Sequence, residues 1–330
     1  MVIITFKLNN IAVSLFGVAL LICLFIYGKD VNKVVFETLV FCFSKLIPSL
    51  FPFMAFAGIL VKNGKNNSQK HGFFRLCFIS WLCGYIIGPK ILQDENYSDI
   101  TEYIALTSNA GIGFVVSYVG GIIWGNLAFG AILYIFQILS SFVIFLIFKR
   151  KKTFDLKFKK LPLISAVNSS VSDSTYSVIT ICGFTVFFSL IRYIICEIFS
   201  FGEIGNQVIS STLEISNGIL FSTTLSSNIL CGFFTGFALG FGGICMCMQT
   251  FAVCKDECIC KKKFILIKFI HGIICGTFSA IFVYFTDVKP TKETVTKIGA
   301  DLEIYKVFVC TLFVFLALSM LKRLLKKQII

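Results

Sequence analysis

A chain of 330 residues that is 57% hydrophobic and only 14% charged, with mean hydropathy +0.89, is not an ordinary soluble globule, in which charged residues make up about a quarter. Its net charge of +13 does not point to nucleic acid either, because the basic residues sit in short loops between apolar runs, where they orient spans instead of lining a groove. The composition is that of an all-α, polytopic integral membrane protein. Fourteen cysteines are spread through the apolar runs without paired spacing, and read as free thiols in a reducing compartment.

Taken in order, residues 11–27 form the first apolar run, with Lys7 before it and no small-residue cleavage site after it, so residues 1–34 read as an uncleaved membrane anchor. The run 37–61 holds Pro48 and Pro52, which remove backbone donors and break or kink a helix, with Lys45 just before the kink. Loops 62–75, 149–160 and 255–263 and the tail with Lys322, Arg323, Lys326 and Lys327 are basic and are expected on the cytoplasmic side. Segments holding Asp94, Glu95, Asp99 and Glu102, then Glu203 and Glu214, then 287–306, are acidic or mixed and are expected opposite.

Parity then assigns 73–92 and 127–148 as full spans and leaves 104–123 to enter and return on the acidic side. In the second half 178–199 crosses outward, and 219–254 holds one span and one re-entrant piece. With 264–286 and 304–321, the expectation is about eight transmembrane helices, two re-entrant or broken segments, and both termini cytoplasmic. Residues 35–148 and 178–286 form two similar halves joined by a basic, Ser-rich linker, 149–177, and followed by a last helix and tail, 287–330. Opposite starting sides make an inverted repeat, a plan that places a binding site where discontinuous helices meet near the midplane.

The stretch Thr107–Gly121, TSNAGIGFVVSYVGG, is apolar enough for a bilayer yet built to interrupt a helix. Ser108, Asn109, Ala110, Gly111 and Gly113 permit close backbone approach and free amides and carbonyls, which lipid tolerates only around a cavity or inside protein. Ser108 with Asn109, and Ser216 with Asn217, are polar pairs beside such breaks; they contact a solute or bond between helices. Charges within predicted spans are Lys45, Lys90, Arg192 and Glu197, with Glu214 at a re-entrant start; their cationic balance favours an anionic solute. Gly232, Gly236 and Gly240 repeat every four residues and read as a helix-packing face. Cys254, Cys258 and Cys260 lack a fourth ligand for a tetrahedral metal, His71 and His271 stand alone, and no catalytic or nucleotide-binding motif occurs, so no cofactor and no enzyme activity are expected.

The ordered set PSLFPF (48–53), GYIIGPK (84–90), SNAGIGFVVSYVG (108–120), LEISNGI (213–219) and FGGICMCMQ (241–249) resembles the YlbJ-like sporulation integral membrane proteins, of the nucleoside-recognition Gate-domain group related to concentrative nucleoside transporters. The resemblance covers roughly residues 35–285. The family's Gly-Tyr-Pro element reads Gly84, Tyr85, Ile86 here, with a proline displaced to Pro89, and the proline often following the polar run is absent at Gly113. What the resemblance implies is a permease in endospore formation that moves a small solute through a site expected to hold Lys45, Ser108, Asn109, Gly111, Glu214, Asn217 and Gln249; the cationic balance favours an anionic carboxylate such as dipicolinate, and the Gate-domain relationship offers a nucleoside as the alternative. A non-transporting assembly protein of the spore membrane is the rival reading. Expected partners are the solute, the bilayer, and a second copy or another spore-membrane protein.

Overall fold

The computed structural model describes Ser14, Gly17, Val18 and residues 20–63, 72–93, 97–149 and 161–291. The run 11–27 lies partly outside these residues, and the predicted span 304–321 and the basic tail lie wholly outside them. The described elements are helical: α1 (Gly28–Phe41), a π-helical segment Cys42–Leu46, α2 (Ile47–Asn63), α3 (Gly72–Cys83), α4 (Ile87–Gln93), α5 (Thr101–Thr107), the π-helical α6 (Gly113–Ile123), α7 (Leu127–Phe148), α8 (Leu163–Phe199), α9 (Glu203–Leu213), α10 (Ile215–Ser222), α11 (Asn228–Phe241), α12 (Gly243–Val253) and α13 (Lys261–Thr286). Five stretches are long and apolar enough to cross a membrane: Gly28–Leu60, Leu127–Phe148, Leu163–Phe199, Asn228–Val253 and Lys261–Thr286. Their outward faces carry exposed Phe56, Ile147, Ile164, Tyr176, Tyr284 and Phe285, an apolar surface that water would penalise and lipid accepts. The protein is an all-α, membrane-embedded one.

Each half repeats one order: a long helix, a helical hairpin, a broken helix, a long helix. In the first half the long helix is α1 with α2. Pro52 lies inside α2 without ending it, so the expected break at the prolines is instead a widened π-helical stretch just upstream, Cys42–Leu46. α3 and α4 fold back on each other, and a Cβ at Gly88 of α4 would stand 2.6 Å from Ser80 Oγ of α3. In the second half α9 and α10 make the equivalent hairpin, where Gln207 Nε2 donates to the Gly218 carbonyl at 2.8 Å. Helix starts follow local chemistry: Asn126 Oδ1 accepts from Phe129 N at 3.0 Å at the head of α7, and Glu214 Oε2 from Asn217 N at 2.8 Å at the head of α10.

This arrangement corrects the predicted paths. Residues 73–92 do not cross: α3 is 12 residues long, about 18 Å, too short for the hydrocarbon layer, and Gly84 at φ +105° turns the chain back. The crossing is made by α5 with α6, expected to re-enter. Thr101 at its start accepts from Cys260 N at 2.8 Å, beside the head of α13, and Ile123 at its end accepts from Thr291 N at 2.9 Å, beyond the tail of α13. The second-half hairpin is likewise Glu203–Ser222, and 228–253 crosses with a break at Gly242.

The acidic segment 97–102 therefore lies at the same end of the bundle as loop 254–260, not opposite. Asp99 N and Ile100 N donate to the carbonyls of Glu257 and Cys258, both at 2.9 Å, and Lys263 Nζ pairs with the buried Glu102 at 2.8 Å. Acids contribute little to span orientation, and this one is matched by a lysine. Cysteines placed at Ser98 and Glu257 in a cysteine-depleted chain are expected to react with a membrane-impermeant maleimide from one and the same side. Reaction from opposite sides would restore the original path.

The linker is also shorter than expected, since residues 163–177 are the opening turns of α8. Ser170, Ser174 and Ser177 are buried at helical spacing, and a Cβ at Gly58 of α2 would lie 3.0 Å from the Ser170 Cβ. The Ser-rich composition thus marks a close helix contact.

Candidate functional site

All four interruptions converge on one cavity with about 600 Å³ of atom-free space, counting its open mouth. The first hairpin contributes Gly84, Tyr85 and Ile86 from its tip, and the broken α5/α6 contributes Ala110, Gly111 and Phe114. From the second half come Glu214, Ile215 and Ser216 at the hairpin tip, then Gly242, Cys245, Met246 and Gln249 around the break of α11/α12. Leu46, Leu50 and Met54 of the first long helix and Ile181 and Thr185 of α8 close the sides.

The same packing device recurs in both halves, and it explains why glycine stands at each break. A Cβ on Gly111 would meet the carbonyl oxygen of Leu82 at 3.0 Å, behind the first hairpin tip. A Cβ on Gly243, whose φ is +77°, would meet Leu213 O at 2.8 Å and Glu214 N at 2.9 Å, behind the second. In each half the broken helix thus rests backbone against backbone on its own hairpin, contacts no side chain would allow. Across the halves, Tyr85 Oη donates to the Leu239 carbonyl at 3.0 Å, tying the first tip to the second broken helix.

Of the predicted site residues, Gly111, Glu214 and Gln249 line this cavity. Glu214 is its charged lining group, buried to 2% exposure. Among the described residues, Gln249 Nε2 meets the soft Cys245 Sγ at 3.3 Å, and the buried Ser216 Oγ makes no hydrogen bond of good geometry. Both can turn to a guest. Lys45 does not line the cavity, although its neighbour Leu46 does. Asn217 Nδ2 donates to Ser189 Oγ of α8 at 2.8 Å, a helix-to-helix bond. The isolated cations are engaged elsewhere: the Arg192 guanidinium sits 3.9 Å over the Phe221 ring, and Lys90 lies 3.6 Å from Asp173.

Ser108 and Asn109 face away from the cavity lining, into a second polar cluster. Asn109 Nδ2 donates to the Leu106 carbonyl at 2.8 Å and to Ser141 Oγ at 3.2 Å. Lys268 of α13, wholly buried, donates to the Ser108 carbonyl at 2.7 Å and approaches Asn109 Oδ1 at 3.5 Å and His271 Nδ1 at 3.0 Å. Sequence reasoning passed over Lys268, which lies within the predicted span 264–286. The available signal was Lys268 and His271 one turn apart inside the apolar run 264–286, which puts both on one helix face.

No protein-family model, curated protein or solved structure matches this chain.

Proposed function

We propose that the protein is a solute transporter of the YlbJ-like, Gate-domain kind, acting in a membrane of a spore-forming cell and carrying a small heteroaromatic metabolite through the cavity between its halves. The observation that carries this reading is the meeting of two hairpin tips and two helix breaks at one cavity, the place where discontinuous helices bind solute in transporters built from inverted repeats. Apolar walls suit a planar ring, and Glu214, Ser216 and Gln249 supply the few polar contacts that fix its orientation.

Glu214 also bears on the choice of solute. With a carboxylate and no lysine or arginine among the lining residues, the cavity favours a neutral, donor-bearing guest such as a nucleoside over the dipicolinate dianion, whose two negative charges would be buried without a counter-charge. Dipicolinate fits this cavity only when it enters carrying protons.

The test is uptake into liposomes holding the purified full chain, with [3H]uridine and [14C]dipicolinate measured in parallel. Saturable uridine uptake that adenosine competes is the expected result. Dipicolinate uptake without uridine uptake would replace the neutral-solute reading. If neither moves and neither shifts the melting temperature of a well-folded preparation, the assembly-protein reading takes its place.

A further inference from the structure

The break between α5 and α6 leaves backbone carbonyls without helical donors. In broken-helix transporters such carbonyls, with side-chain oxygens, hold the cation whose gradient drives the solute. Here that position is filled from within the chain. Lys268 reaches across from α13, and its three N–H directions meet three acceptors: Ser108 O, Asn109 Oδ1 and His271 Nδ1.

The acceptors are fixed by their other bonds. Asn109 spends its amide hydrogens on Leu106 O and Ser141 Oγ, so its oxygen is the end turned to Lys268. His271 Nε2 lies 2.9 Å from the Gln137 carbonyl, which can only accept, so Nε2 carries the ring hydrogen and Nδ1 offers its lone pair. Among the described residues no carboxylate lies within ion-pair distance of Lys268, so its charge is held by dipoles alone, an arrangement that losing one proton relieves.

A second space borders Lys268. A second cavity, with about 240 Å³ of atom-free space, has Lys268 and His271 in its wall and reaches Glu102 at the head of α5. The other groups facing Lys268 are Cys275 on α13, Cys247 on α12 and the Tyr85 ring, whose centroid is 5.7 Å from Nζ. Helix α7 offers Gln137, Ser140 and Ser141, none of which titrates, and α11 carries a titratable side chain only at its far end, Cys231.

We propose that Lys268 is the coupling group of the transporter, a tethered cation in the α5/α6 break that binds and releases one proton per cycle and makes transport proton-driven and sodium-independent. The step converts the Nζ ammonium to a neutral amine and releases one proton to one compartment by way of the second cavity; once the transporter has reoriented, the amine takes a proton from the other compartment, so that one proton crosses per cycle. His271 is the positioning residue that accepts from the ammonium. The proposal rests on the transport reading, but concerns the driving ion and not the solute.

The experiment uses the same liposomes in sodium-free buffer with the membrane potential clamped. A tenfold proton gradient, acid on the side of solute addition, is expected to raise wild-type accumulation of uridine, or of dipicolinate if that is the solute exchanged, up to about tenfold, the limit for one proton per solute. Lys268→Arg keeps a cation that does not release its proton, and is expected to lose this accumulation while still exchanging solute in counterflow at equal pH. Lys268→Gln serves as the second variant, with its folding checked by melting temperature, and is expected to lose the gradient response too. Accumulation that needs sodium, that ignores the proton gradient, or that persists in both variants overturns the coupling role and leaves the transport reading standing. Absence of counterflow for both solutes in the wild type overturns the transport reading and the coupling role with it.

Discussion

Gly236→Val is expected to lower stability in detergent by about 3 kcal/mol, at the upper end of overpacking costs. At Gly236 a Cβ would stand 2.7 Å from the Cys275 carbonyl and 2.9 Å from the Gly276 Cα, so α11 and α13 touch through backbone and no rotamer change relieves the clash. The same face continues at Gly240, where a Cβ would meet the His271 carbonyl at 2.7 Å. Separating these helices also displaces the turn that holds Lys268 and His271. Gly183→Val on α8 is the control, because a Cβ there meets nothing within 4 Å. Melting curves of the two variants decide the matter: equal midpoints would mean that the α11–α13 contact is not as close as described.

Glu214→Gln is expected to weaken uridine binding about 10- to 100-fold, the range for losing a hydrogen bond to a charged group at a buried site. Glu214 has two duties that must be separated. One carboxylate oxygen caps α10 through Asn217 N at 2.8 Å, and the group as a whole is the charged lining of the cavity. Glutamine weakens both, with a cap loss of about 0.5–2 kcal/mol in stability. Glu214→Asp keeps a carboxylate and a favoured capping residue while shortening the reach into the cavity. Binding lost in both variants, with stability lost mainly in the glutamine one, is the signature of a solute contact. A drop in melting temperature with unchanged uridine affinity in both would reduce Glu214 to a helix cap.

Hydropathy alone made the helical membrane class legible, and small residues in TSNAGIG marked the broken helix at 108–111, whereas the break at Gly242 emerges only from the structure. Which segment turns back was not legible, because hydropathy reports whether a run is apolar and not where it ends. GFFRLCFISWLCGYIIGPKIL scans as one span, and only the positive φ of Gly84 divides it into two short helices. The acids near residue 99 misled for a related reason. Their partners, Lys263 and the carbonyls of loop 254–260, lie some 160 positions away in sequence, and local charge counting cannot see them.

At the site, the residue types were informative and their directions were not. Glu214 and Gln249 line the cavity, whereas Asn109 and Asn217, equally polar and equally close to breaks, turn their amides elsewhere, Asn109 to the end of α5 just before it and to α7, Asn217 to α8. A side chain's orientation at a break depends on the backbone path through it, which the order of residues does not disclose. Lys268 lies inside the predicted span 264–286, five residues beyond Lys263, yet it was not counted among the charges within spans; its polar partners at the α5/α6 break are some 160 positions away in sequence.

The long helices of the two halves run antiparallel, Lys62 at the end of α2 meeting Ser169 and Asp173 near the start of α8 while Tyr27 before α1 meets Tyr193 near the end of α8, and this bears on descent as well as on mechanism. If one ancestral segment was duplicated and its second copy inserted upside down, every structural position acquired a twin facing the other compartment. Lysine and arginine favoured at a loop in one copy were then disfavoured at its twin. The connection from long helix to hairpin carries Lys62, Lys65 and Lys70 in the first copy, while its counterpart at 200–203 carries Ser200, Phe201, Gly202 and Glu203. Selection for orientation would thus have driven the copies apart in residue identity, leaving their kinship recorded mainly in the placement of the breaks.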